Sequence, residues 1–139
     1  MHNKLKKTAT SPEDFNLQQC FFGEHLLKIY PDKQVAIVES EKSAIIASCI
    51  MPELVWLAAG SLNGLSVEKC QILKGRDIML YPDLGAFDKW SIKATEIQKQ
   101  YNREITASTL LEVEANESDR TNGLDIADFR ITQIKENYF

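Results

Sequence analysis

The sequence predicts an α/β domain in which a mainly parallel central sheet lies between helical layers, and three observations support this. Short runs rich in Val, Ile and Leu alternate with helical patterns at close spacing, the signature of successive right-handed βαβ units. Leu54 to Gly60 is apolar on both faces, as a buried parallel strand is, and Val35 to Glu39 and Asp77 to Tyr81 are the hydrophobic runs of the first and third strands. Two of these runs lead into an acid, Glu39 after the first and Asp83 after the third. In an open parallel sheet the carboxyl ends of the strands form the ligand-binding edge, so the two acids can converge there.

Residues 1 to 16 are polar and are expected to form a flexible leader, and residues 17 to 139 one domain. Ser11, Pro12, Glu13 and Asp14 carry a helix-start signal, and Leu17 to Tyr30 keeps a helical rhythm until Pro31 and Asp32 end it. After the first strand, the Ala- and Ile-rich segment from Glu41 to Ile50 predicts a helix that Pro52 stops. Ser61 to Gly64 predicts a turn, and Ser66 a cap for a short helix to Leu73. Beyond the third strand, Asp88 is expected to cap a helix from Lys89 to Tyr101, with Trp90, Ala94 and Ile97 on one face. Thr106 to Val113 predicts a fourth strand, Glu114 to Asn122 a polar loop, and the stretch from Asp125 a last helix through Lys135.

With 139 residues, 44% of them hydrophobic and 26% charged, the chain suits one globular domain with its own core. The formal charge of -4 does not supply the footprint of a stand-alone nucleic-acid binder, so such binding would need a local basic patch. Three cysteines without a C-x-x-C spacing predict reduced thiols and no zinc site. No run is long and apolar enough for a membrane span, and the basic N-terminus lacks the apolar core of a signal peptide, so the expected compartment is the cytoplasm. His2 and His25 have no nucleophile near them in sequence, which argues against serine or cysteine hydrolase chemistry.

Glu39-Ser40-Glu41-Lys42-Ser43 after the first strand, Ala59-Gly60-Ser61 after the second, Tyr81-Pro82-Asp83-Leu84-Gly85 after the third, and Gly123-Leu124-Asp125-Ile126-Ala127-Asp128 near the end occur in an order and spacing. This arrangement resembles the Toprim domain of bacterial primases, topoisomerases and related nucleases, and more closely the Toprim-like proteins of bacterial mobile elements. The resemblance covers residues 34 to 130 and implies a Rossmann-like three-layer domain. It also implies a DNA-associated role, with replication or mobilisation proteins as partners, and Mg²⁺-dependent phosphodiester chemistry. In that family the glutamate after the first strand is the general acid or base, which corresponds to Glu39. The D-x-D after the third strand holds magnesium, and Asp83 matches its first aspartate. Two positions depart from the pattern: Ser40 stands where a glycine is usual, and Gly85 replaces the second aspartate. A glycine cannot ligate a metal, so the second ligand would have to come from Asp88 folding back.

Simpler roles stand beside these. Glu39 suits the start of the following helix, Asp83 a turn, and Asp88 a helix cap. The Gly60–Gly64 turn offers backbone N–H groups to a phosphate at Gly60 and Ser61, but it lacks the ending of a P-loop and serves equally as a tight turn. Lys42 can reach a phosphate or lie on a solvated helix face. Asp125 and Asp128 match the aspartates of a segment near the end of primase-related Toprim domains, and a helix cap at Asp125 is the preferred role. Trp56 and Trp90 are expected in the core. Two rival functions follow: an interaction module that has kept the scaffold and lost the metal site, and a receiver- or flavodoxin-like regulatory domain with Asp83 as its phosphorylation or ligand site.

Overall fold

The computed structural model describes residues 19–138; the expected leader and the helix-start signal at Ser11 to Asp14 lie outside the described residues. Four strands form one parallel sheet: β1 (Val35–Val38), β2 (Val55–Ala58), β3 (Ile78–Leu80) and β4 (Ile105–Ala107), in the order β2-β1-β3-β4. Central β1 pairs in parallel with both neighbours, Val35 lying opposite Val55 on one side and Ile78 on the other. All four of its residues are fully buried, which is why the run carries no polar residue.

The main helices lie on opposite faces. On one face, α2 (Glu41–Ile50) and α6 (Ile126–Tyr138) cover Ala36, Val38, Trp56 and Ala58 with Ala44, Ala47, Ile126 and Phe129. On the other, α3 (Phe87–Tyr101) and a 3₁₀ segment (Lys69–Leu73) cover Val35, Ile37, Leu57 and Leu80 with Trp90, Ala94, Ile97 and Leu73. The domain is therefore a three-layer α/β, Rossmann-like fold. Both tryptophans are core residues, and their indole N–H groups donate to backbone oxygens, Trp56 to Met51 and Trp90 to Leu62. The buried Cys70 thiol is pushed up to about 12 by loss of hydration, so it packs as an apolar group, and Cys20 and Cys49 are exposed and unbridged.

Several elements differ from expectation. Among the described residues of the first segment only α1 (Leu26–Ile29) is helical, because Gly23 turns the chain at φ 81° and Phe22 makes an antiparallel bridge to Ala58 on the outer edge of β2. The capped helix at Ser66 is a 3₁₀ segment, although Ser66 Oγ does accept from Lys69 N at 3.2 Å. The fourth strand stops at Ala107. Ser108 Oγ accepts from Leu110 N, and α4 (Leu110–Glu114) follows instead of the predicted extension to Val113. The expected loop contains α5 (Glu117–Asn122), started by a reciprocal capping box between Asn116 and Asp119. Helix α3 begins at Phe87 rather than Lys89, so Asp88 does not cap it but lies inside its first turn, where an acid suits the dipole.

At the amino ends of the strands, Arg76 ties α1 and the loop after it to the sheet. Its guanidinium donates to the carbonyls of Leu27, Tyr30 and Lys33 at 3.2, 2.7 and 2.7 Å. Arg76 and Lys69 do not form a free basic patch. Arg76 is bound to carbonyls, and Lys69 Nζ donates to Ala59 O at 2.9 Å beside the Phe21 ring.

Candidate functional site

From β1 the chain passes to β2 on one side and then returns to β3 on the other, so the crevice between the carboxyl ends of β1 and β3 is the topological switch point. Glu39 follows β1 and Asp83 follows β3, on either side of this crevice. Local structure fixes both. Ser40 is the N-cap of α2, its Oγ accepting from Ser43 N at 3.1 Å, which turns the chain sharply at the end of β1. After β3, Tyr81 N continues the ladder to Ile37 O, and then Pro82 supplies no donor. Asp83 O accepts from Ala86 N to close a turn in which Gly85 sits at φ +88°.

A hydrogen bond from Leu84 N to Leu124 O, 2.9 Å long, fastens this turn to the segment before α6 and makes Asp83 and Asp125 neighbours. Asp125 Oδ1 accepts from Asp128 N at 2.8 Å, the helix-start role expected for it. Its second oxygen turns toward α2. Oδ2 accepts from Ser43 Oγ at 2.6 Å and lies 3.1 Å from Lys42 Nζ, while Asp128 lies 3.5 Å from the same ammonium. Because the Ser43 proton is committed to Asp125, the 2.7 Å contact between the Ser40 and Ser43 hydroxyls takes its proton from Ser40.

The electrostatics separate two kinds of acid. Burial opposes ionisation of Asp125, yet the Ser43 hydroxyl, the Asp128 N–H and Lys42 together hold its carboxyl below the usual carboxylate range. Lys42 is held above the usual ammonium range by its hydrogen bond to Asp125, against a small loss of hydration, and by the fields of Asp125 and Asp128. Asp83 has no such compensation. Burial, then the negative charges of Glu39, Asp125 and Asp128, push its carboxyl up to about 7, with Lys42 opposing them. Its Oδ1 is buried and without a hydrogen-bond partner.

The other expected site residues do not join this group. Asp88 is exposed on α3 and is not among the charges that raise Asp83. Gly60 N is occupied by Glu39 O at 2.9 Å, and a Cβ at Gly60 would lie 3.7 Å from Glu41 Oε1, so an acid rather than a phosphate cradle adjoins it. Ser61 is exposed in the same turn, and its carbonyl accepts from Gly64 N. Gly64 is required there, since a Cβ would collide with Ala59 O. The segment is a tight turn. Among the described residues no group of three or more His, Cys, Asp or Glu side chains is placed to hold a metal ion. Nor is any helix among them long and apolar enough to cross a membrane.

The fit to a hard cation is therefore partial. Asp83 offers an unpartnered oxygen with Glu39 in the same field, Gly85 offers nothing, and Asp125 and Asp128 already face an ammonium. Such a set suits a cation that keeps most of its water. Sequence reasoning gave Asp125 a cap and missed its bonds to Ser43 and Lys42. The D-x-x-D spacing signals the cap; the pairing across 82 positions has no local signal.

Residues 1–84 match a family described as a domain of unknown function, DUF6371. The chain belongs to this family. No match was found among curated proteins or among solved structures. The matched region contains Glu39, Lys42, Gly60, Ser61 and Asp83, and stops before Asp88, Asp125 and Asp128.

Proposed function

We propose that the chain is a cytoplasmic, DNA-associated Toprim-like domain of a mobile-element or primase-related protein, whose switch-point crevice takes Mg²⁺ and a nucleic-acid phosphate. The observation that carries this reading is Asp83, a strand-end acid with a buried unpartnered oxygen, kept from ionising by burial and neighbouring acids. A divalent cation beside it would remove that penalty and supply charge stabilisation for phosphodiester chemistry. Asp83 is the ligand and Glu39 the group that holds or moves a proton. Lys42 is the contact for the phosphate. Neither Asp88 nor the Gly60–Ser61 turn has a part in it.

A second reading rests on Gly85 and on the Lys42 pairs. With one strand-end aspartate replaced by glycine and two acids already neutralised, the domain would bind partners without catalysis.

Calorimetric or NMR titration with Mg²⁺ or Mn²⁺ separates the two. Saturable millimolar binding that disappears in Glu39→Gln and Asp83→Asn is the expected result. Absence of binding in the unmodified protein would overturn the catalytic reading. DNA affinity that falls with salt and with Lys42→Met, but is indifferent to metal, would establish the second.

A further inference from the structure

Lys42 combines two properties that rarely occur together. Its side chain is 58% exposed, yet its ammonium is held by acids from an element far along the chain. A surface lysine ordinarily samples many rotamers, and an exposed ion pair does little to restrain it. Here the partner is not another mobile side chain. Asp125 is 6% exposed, and both its oxygens are fixed, one by Asp128 N at 2.8 Å and the other by the fully buried Ser43 hydroxyl at 2.6 Å. Ser43 is in turn held by Ser40, the residue that turns the chain out of β1. The path from the end of β1 to the ammonium is thus a chain of short contacts through α2 and the start of α6.

We propose that Asp125, backed by Ser43, is a positioning residue that fixes Lys42 at the switch-point crevice and presents its ammonium to an anionic group brought beside Asp83. This rests on the reading of Lys42 as the phosphate contact, and it assigns α6 a part in a site otherwise built from β1, α2 and β3. Asp128, half exposed and at 3.5 Å, is the weaker of the two acids and restrains Lys42 less.

The test has two readouts. The first is the rate at which an amine-acylating reagent modifies Lys42 in the folded full chain at fixed pH, followed by peptide mass spectrometry. Expected is slow modification in the unmodified protein, a rise of about threefold or more in Asp125→Asn, and smaller rises in Ser43→Ala and Asp128→Asn. The second is affinity for a single-stranded oligodeoxynucleotide at two salt concentrations. If Asp125 positions Lys42, Asp125→Asn and Lys42→Met each weaken binding, and the double variant binds no worse than Lys42→Met alone. Should Asp125→Asn not fold, Ser43→Ala carries both measurements.

Unchanged acylation in Asp125→Asn and Ser43→Ala would overturn the proposal, as would tighter oligonucleotide binding in either variant, which would mark Asp125 as a mere competitor for Lys42. Faster acylation together with no oligonucleotide binding by the unmodified protein would retain Asp125 as the group that fixes Lys42 and refute the phosphate reading instead. The two failures are thereby distinguishable.

Discussion

The two ends of the sheet treat their polar groups in opposite ways. At the amino ends, three donors of Arg76 find backbone carbonyls, and the guanidinium closes α1 against the strands. At the carboxyl ends, Asp83 is left with a buried oxygen that no donor meets, in the field of three other acids. Burying a polar group costs free energy unless it is paired, so the first arrangement stabilises the fold and the second weakens it. The buried unpartnered oxygen at the second edge is the kind of group that calls for an explanation beyond stability.

The contrast can be broken at either end. Arg76→Ala should have the largest effect, a loss of about 3 kcal/mol, since charge-assisted bonds to three carbonyls are removed and those carbonyls remain; urea unfolding would measure it, and cation binding in the fraction still folded should be unchanged. Asp83→Asn should act with the opposite sign and raise stability at pH 8 by about 1 kcal/mol, the figure being kept small because part of the side chain meets water. That gain should depend on pH. A carboxyl raised to about 7 in the folded protein stays protonated there while the unfolded chain has already released its proton, so stability falls as pH rises from the ordinary aspartate range to about 7. Melting curves of the two proteins should converge near pH 4 and separate by pH 8; parallel curves would mean that Asp83 is not strained. Ser91 sharpens the comparison at small scale. Its hydroxyl is also buried and unpartnered but lies on α3, away from the crevice, so Ser91→Ala should change stability by no more than about 0.5–1 kcal/mol, upward, without any effect on cation or DNA binding.

How much of this could be found in the sequence depended on how local each cause is. The strands around Val35, Val55 and Ile78 were legible within a residue or two at each end because buried parallel strands carry unbroken apolar runs. Helix α2 was legible from its Ala- and Ile-rich run and from Pro52, although its N-cap is Ser40 and not Glu39. The fourth strand was drawn too long, since Leu110, Leu111 and Val113 suit a strand as well as a helix, and only the Ser108 turn decides between them. The Asn116–Asp119 box was a local signal that went unused. The strand-end positions of Glu39 and Asp83 were legible because strand ends are visible in sequence. The pairing of Lys42 and Ser43 with Asp125 was not, because it depends on α6 returning across α2.

The boundary of the family match also has a consequence for how the domain holds together. It stops at Leu84, after β2, β1 and β3 have been laid side by side, and leaves out β4 and α6. A fragment cut there would lack β4 along the outer margin of β3, and would uncover Ala44, Ala47 and Trp56 where Ile126 and Phe129 now pack. Such a piece would present an open ladder beside a bare apolar face, the combination that drives chains to stick to one another. The segment beyond the match therefore pairs that margin and covers that face as well as completing the crevice.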